Sequence, residues 1–431
     1  MRLPVSRLLS ATGKPLPTRG LIMLRNYTLP ILDFASDSWR QTIVDREPGL
    51  YLGHPTTVLL DDQKTIVTVY PKNHGFGQIV LKKSTDGGLT WSERLPVPES
   101  WSTSLETPIL YKVYDQAGKR RLLLFSSLYP IRMSVSEDDG DTWSELAPVG
   151  DYGGIVAMGD IAGTAPGEYF ALFHDDGRFL RRNLNRRTIV YQSGDGAARR
   201  TRAQTQYTPD HGQTWGPAED LRLQPGDRER RDWKPIYTAY RGESETNFHL
   251  YQVWSRDGGL TWSSTPRSIC THQVANLCEP AIVKSPDGRE FAVLLRENAR
   301  KMNSMVIYSS DQGQTWTEPV EMQGALTGDR HCARYLKDGR LFISFRDTCL
   351  DSPTRGDWCA WLGTYDDIKN GREGQYRIRI MKNHLGLDCA YPGVEILPDG
   401  TVVTTTYGHW TPGEEPYIVA VRIRPEDLPA A

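Results

Sequence analysis

Polar and ionisable residues recur at two matching places in this chain, where successive short hairpins begin and end. His54, Glu106, Asp160, Glu279, His331 and Tyr391 open the first strand of each hairpin, and Tyr70, Ser126, His174, Arg296, Arg346 and Tyr407 close the next. Carboxylates, imidazoles, guanidinium groups and phenols are the side chains of proton transfer and anion binding, and their convergence on one rim is what a site requires. A purely structural array would accept small or apolar residues there. His74, on the loop after the first hairpin, and Asp175, next to His174, extend the set. The six cysteines (Cys270, Cys278, Cys332, Cys349, Cys359, Cys389) have no CxxC spacing and no His partner at zinc distance, so no metal or cofactor is expected. They read as buried free thiols; a Cys349–Cys359 bridge would need an oxidising compartment.

A repeat brings these positions into register. The octet Ser/Thr-x-Asp-x-Gly-x-Thr-Trp occurs five times, at 84–91, 136–143, 208–215, 255–262 and 309–316. Its Asp is expected to accept backbone N–H groups two residues on, its Gly to supply the positive φ of a tight reversal, and its Trp to bury a ring between sheets. Around the octets lie β-rich runs broken by Asp-Gly turns, as in 279–316 (EPAIVKSPDGREFAVLLRENARKMNSMVIYSSDQGQTW). A repeat of about 40 to 60 residues built from short strands is the signature of a radial array of sheets. The expected fold is all-β, a six-bladed β-propeller spanning residues 50–431. Residues 1–49 form an N-terminal segment expected to hold a ring-closing strand, and the Arg-rich stretch about 179–246, which carries the extra octet, reads as an insertion in blade three, with one additional blade as the alternative.

Composition narrows the function. The chain has 431 residues, is 38% hydrophobic and 24% charged, and carries a net charge of −2 from 51 basic and 53 acidic residues, so no global field recruits nucleic acid or an anionic membrane. No apolar run reaches the roughly 18 residues of a membrane span. The N-terminus MRLPVSRLLSATGKPLPTRGLIML lacks a sustained apolar core, so no convincing export signal is expected and the compartment stays open.

The octets on a six-bladed pattern resemble the Asp boxes of the sialidase (neuraminidase) superfamily, over about residues 54–424. In that family a Glu opens blade four, an Arg closes its next strand and a Tyr opens blade six; EPAIVKSPDGREFAVLLR offers Glu279 and Arg296, and AYPGVEILPDGT offers Tyr391. The resemblance implies an exo-glycoside hydrolase that releases a terminal acidic sugar, with Tyr391 as nucleophile and Glu279 as its base. A neutral phenol avoids the repulsion that a carboxylate nucleophile would meet at a carboxylate-bearing anomeric carbon. Arg296 and Arg346 are expected to clamp that carboxylate, a task suited to a bidentate fork. Glu106, Asp160, His174, Asp175, His331 and Tyr407 are the further substrate-binding candidates.

Two of the family's parts are replaced here. Where sialidases open blade one with Arg-Ile-Pro, this chain has Gly53-His54-Pro55, and the loop that carries their acid/base Asp reads PKNHGFGQ, with no carboxylate. His54 and His74 are the candidate proton donors, since imidazole titrates near neutrality, with His331, His174 and Asp175 behind them. The alternatives are a polysaccharide lyase on the same scaffold, marked by an unsaturated, ultraviolet-absorbing product, and a non-catalytic glycan-binding propeller, indifferent to Tyr391→Phe.

Overall fold

The computed structural model describes residues 27–430 apart from 181–183, 195–198, 211, 222 and 243–246. The N-terminal stretch 1–24, in which no export signal is expected, therefore lies outside the described residues, as do parts of the Arg-rich stretch. The chain is all-β, and its one α-helix among the described residues, Tyr365–Lys369, is five residues long and opened by a Thr364/Asp367 capping box.

Six sheets follow one another along the chain. Their first strands are Thr56–Leu59, Ile109–Tyr114, Ile155–Ala165, Leu277–Lys284, Gly328–Tyr335 and Gly393–Ile396. Each first strand pairs antiparallel with the strand after it, as the Asp-Gly hairpin signals require. The six first strands touch in the cyclic order in which they occur, the last returning to the first. Apolar clusters fill the spaces between neighbouring sheets; Leu122 and Leu124 pack with Val67 and Leu81, and Phe342, Trp358 and Ile378 with Val394, Val402 and Val421. Strands of this kind are buried on both faces, which is why they read as nearly continuous apolar runs (FAVLL, at the start of Phe291–Glu297, is buried throughout) rather than as alternating ones.

The sixth sheet takes its outer strand from the other end of the chain: Gln41–Asp45 lies antiparallel to Tyr417–Ile423. Ile31–Asp33 adds in parallel to the edge strand Tyr376–Met381 of the fifth. A separate four-stranded sheet, in the order Glu219–Leu221, Arg200–Tyr207, Leu184–Ser193, Lys234–Gly242, lies in the chain between Glu168–Asp175 and His249–Ser255, which pair with each other in the third sheet.

All five octets make the same bonds. The Ser or Thr hydroxyl donates to the Asp two residues on and accepts from the Gly N–H four residues on, at 2.8–2.9 Å in every copy. The Asp accepts the backbone N–H and the hydroxyl of the Thr four residues on, not the amide two residues on; the longer reach lets one carboxylate span the whole reversal. At Gly88, with φ 83°, a Cβ would lie 2.8 Å from Val403 of the sixth sheet, so glycine is needed for both the turn and the close packing. Four of the Trp rings reach a neighbouring unit, as Trp262 does against Phe125 and Trp316 against Phe170. The Trp215 ring stays within the separate sheet, between Arg187 and Tyr240.

Candidate functional site

The mouth of the ring is built from a recurring backbone kink. His54, Val156, Glu279, Arg330 and Ala390 all have positive φ, 48° to 56°, just before or at the start of the first strand of five of the six sheets. Left-handed backbone costs an ordinary residue about 1 kcal/mol or more, so its recurrence marks a position that the surrounding pairing enforces. In the fourth sheet Cys278 pairs with Arg296 and the next pair is Ala281 with Leu294; in the fifth, Asp329 pairs with Arg346 and the next is Cys332 with Ser344. The skipped residues form a bulge that turns a side chain into the mouth.

This register corrects the alignment made on the hairpin turns. The counterpart of Glu279 in the fifth sheet is Arg330, not His331, and in the third sheet it is Val156, not Asp160, because the bulge there spans Ile155 to Asp160. One residue of slip turns a side chain to the other face. His331 accordingly is buried, with Nε2 2.9 Å from the Leu326 carbonyl, and burial drops its pKa to about 4. It is no proton donor to a substrate. Asp160 accepts the backbone N–H of Ile161 at 2.8 Å and of Ile282 at 2.7 Å, tying the third sheet to the fourth. His174 is buried and takes the Glu279 N–H on Nδ1 at 3.3 Å; burial, then Arg296, hold it well below the usual histidine range, so it is a neutral support behind Glu279. Asp175 closes its own turn, accepting Gly177 N–H at 2.7 Å and Phe179 N–H at 3.1 Å, while its Oδ1 is buried without a hydrogen bond and burial pushes its pKa up to about 7.

The other candidates come together. The Tyr391 hydroxyl donates to Glu279 Oε1 at 2.5 Å, and Arg296 Nη1 reaches the same oxygen at 2.7 Å and the phenol oxygen at 3.3 Å. Burial, then the Glu279 charge, raise the phenol above its ordinary pKa, against Arg296 and Arg346. In the resting site the proton therefore sits on Tyr391, and Glu279 is the group placed to take it. Glu279 is 3% exposed and its Oε2 accepts no hydrogen bond among the described residues.

The arginines are not open forks. Asp329, fully buried, holds three of them: Arg300 donates Nη1 and Nη2 to its two oxygens at 2.8 and 2.6 Å, Arg346 Nε and Nη2 approach Oδ2 at 3.0 and 2.9 Å, and Arg296 Nε lies 3.2 Å from Oδ1. Arg346 also donates Nη1 to the Leu387 carbonyl. Burial works to raise the Asp329 carboxyl, but the three guanidinium groups outweigh it and hold it well below the carboxylate range. The expected two-arginine clamp is thus already loaded by a carboxylate of the chain.

A second network lies beside the first. His54, buried, stacks on Tyr407 at 4.5 Å and meets the rings of Tyr391 at 4.5 Å and His74 at 4.7 Å edge-on; its Nε2 is 3.2 Å from the Tyr407 hydroxyl. His74 is more open, its side chain 40% exposed. Its Nδ1 is 2.6 Å from the Tyr51 hydroxyl, which donates to Asp388 Oδ1 at 2.8 Å; Tyr407 donates to the same oxygen and His409 Nε2 lies 3.3 Å from Oδ2. That chain places a proton on His74 Nδ1, assigned from the hydrogen bonds, and leaves Nε2 as the exchanging atom. Glu106 accepts the Thr107 N–H at 2.9 Å and lies under Gly75, next to His74; burial raises its pKa, and Glu279 raises it further against the pull of Thr107 and His74.

Asp329, Arg300, Asp388 and Tyr51 are members that reading the hairpin turns missed. Asp329 would have been found by aligning on the residues opposite Arg296 and Arg346, and Asp388 by asking what counter-charge serves the histidines. Among the described residues no group of three or more His, Cys, Asp or Glu is arranged to hold a metal, all six cysteines are unbridged, and no helix is long and apolar enough to cross a membrane.

Comparison with known proteins gives the repeat type. Residues 188–348 match the family described as BNR repeat-like domain. Vacuolar protein sorting/targeting protein 10 of Debaryomyces hansenii is 25% identical over 175 residues, 35% of this chain and 10% of that protein's length. A Dyadobacter fermentans protein of unknown function superposes with TM-score 0.57 at 13% identity, covering 89% of this chain and 98% of that one, a likeness of fold. The NanB sialidase of Streptococcus pneumoniae gives TM-score 0.47 at 13% identity (90% of this chain, 71% of that one), and an alpha-L-arabinanase of Penicillium chrysogenum 0.48 at 13% (90% and 99%).

Proposed function

We propose that this chain, a BNR (Asp-box) repeat protein, is a glycoside hydrolase whose nucleophile is the Tyr391 phenol, with the six sheets as blades of one catalytic propeller over about residues 50–431 and the separate sheet as an insertion in the third blade. The observation that carries the reading is the 2.5 Å bond from the phenol to a buried carboxylate whose other partner is Arg296. A tyrosine kept only for packing needs no such base.

The steps balance on this chain's own groups. Tyr391 Oη attacks the anomeric carbon while its proton passes to Glu279 Oε1, and the glycosidic C–O bond breaks as His74 Nε2 protonates the leaving oxygen. Water then attacks the glycosyl-tyrosine, giving its proton to His74; the C–Oη bond breaks, and Glu279 returns the phenol proton. Configuration is retained over two displacements. Asp388, through Tyr51, orients His74. The buried His54 packs the nucleophile instead of donating to the substrate.

The expectation of an acidic sugar came with the sialidase resemblance, which gave its carboxylate to Arg296 and Arg346; Asp329 already contacts both, and the substrate class is taken up below. The test is release of reducing sugar from a panel of neutral, sialylated and uronate-bearing glycans. Tyr391→Phe should abolish release and His74→Ala should slow it by about 10²–10³-fold, as expected for loss of a general acid. An unsaturated product absorbing in the ultraviolet would replace hydrolysis by elimination, and release surviving Tyr391→Phe would remove the phenol from the mechanism.

A further inference from the structure

Resting on the hydrolase reading, we infer that Asp329 is a built-in occupant of the arginine forks, so that the reacting-end subsite takes a neutral sugar and rejects one that brings a carboxylate to these arginines.

Recognition of a carboxylate by arginine depends on paired N–H groups that are free to face it. Here Arg300 donates from both terminal nitrogens to Asp329, Arg346 donates Nε to it and Nη1 to the Leu387 carbonyl with Nη2 in ion-pair contact at 2.9 Å, and Arg296 donates Nη1 to Glu279 while its Nε lies 3.2 Å from Asp329. An arriving carboxylate would have to take these donors from Asp329. That residue is 0% exposed and sits in a strand paired to Arg346, so it has no route to water, and an unpaired buried carboxylate is expensive.

The charge balance agrees. Arg296, Arg300 and Arg346 face Asp329 and Glu279, so an anionic substrate would meet two fixed carboxylates beside these arginines, while Arg330, on the neighbouring kink, donates Nη1 to the Gly159 carbonyl at 2.9 Å. The same crowding explains why the nucleophile is a phenol. With Asp329 and Glu279 already grouped around Arg296, a third carboxylate would be repelled in its ionised form, whereas Tyr391 enters neutral and gives up its proton only during attack. In this chain the reason for a tyrosine lies in the protein's own anions rather than in one on the substrate.

The test separates binding from turnover. Calorimetric binding of D-galactose, D-glucose and L-arabinose to the whole chain is compared with that of D-galacturonate, D-glucuronate and N-acetylneuraminate. The wild type should bind at least one neutral sugar about tenfold or more tighter than the acidic ones. Asp329→Asn, checked for folding by circular dichroism, should narrow or reverse that ratio by strengthening the acidic ligands. Wild-type binding of an acidic sugar as tight as the neutral ones, or of no sugar in the panel, overturns the inference, and both outcomes are read on the wild type alone should the variant fail to fold. Tyr391→Phe tests the other reading: a variant that keeps the neutral preference but loses turnover supports both, and one that keeps turnover defeats the nucleophile while the binding ratio still decides the sugar class.

Discussion

The octets at the outer turns and the kinks at the inner rim are both fivefold repeats, but they repeat different things. Each octet reproduces the same side chains, the same hydroxyl-to-Asp-to-Gly bonds and the same glycine φ. Each kink reproduces only a backbone angle and presents a different side chain: His54, Val156, Glu279, Arg330 or Ala390. Side-chain repetition stabilises a turn wherever it occurs, even in the separate sheet that lies outside the cycle of touching strands. Backbone repetition with varied side chains gathers unlike groups at one mouth. On the proposed function the outer repeat serves folding and the inner one chemistry, and substitutions in the two should behave differently.

The largest expected effect is at the mouth. Tyr391→Phe or Glu279→Gln should lower kcat by about 10³-fold or more with little change in melting temperature, because each keeps the shape of the residue it replaces. Loss of stability in step with activity would erase the distinction between the regions. Next is a pH effect just behind the mouth. The Asp175 pKa, about 7 in the fold and about 4 unfolded, is raised, so its contribution is whole below pH 4 and is lost as pH climbs through 7. Unfolding free energy measured from pH 4 to 8 should fall in the wild type relative to Asp175→Asn, with a ceiling of about 4 kcal/mol; parallel curves would show that the carboxyl is not protonated in the fold.

The outer repeat should respond in stability only. Ser309→Ala removes the hydroxyl that receives the Gly313 N–H and donates to Asp311, leaving a buried amide unsatisfied, at about 1–3 kcal/mol in urea unfolding with kcat unchanged. The smallest effect sharpens the contrast. Ala390→Gly places a permissive residue at a left-handed position and should be neutral to stabilising by up to about 1 kcal/mol, the reverse of any substitution at an octet glycine. Clear destabilisation by Ala390→Gly would mean that the kink is not strained.

The all-β class and the sheet-by-sheet order were legible because octets and Asp-Gly hairpins are local signals, each decided by a few neighbouring residues. Glu279 and Arg296 could be named from their places in the repeat and Tyr391 from the family resemblance, since by the kink register it stands one residue past Ala390, as His331 does past Arg330. Their setting could not, since it depends on register. A bulge between Asp329 and Cys332 moves Arg330 into the place assigned to His331, and nothing local to that strand announces it. Asp329 itself sits in the chain at a distance of 33 residues from Arg296 and 17 from Arg346, as their numbers show, and it takes the hairpin pairing with Arg346 and the packing of the fourth sheet on the fifth to put one carboxylate among three guanidinium groups. Local patterns report turns; counter-ions are found by packing.

The central claim is a glycosyl group passing through the Tyr391 oxygen. Once a cleaved glycan is identified from the panel, its 2-deoxy-2-fluoro analogue with a good leaving group should slow the second displacement and let the intermediate accumulate. Intact mass followed by peptide mapping should then find one added sugar on Tyr391, absent from Tyr391→Phe. An adduct mapped to Glu279 or Glu106 would contradict the account by making a carboxylate the nucleophile.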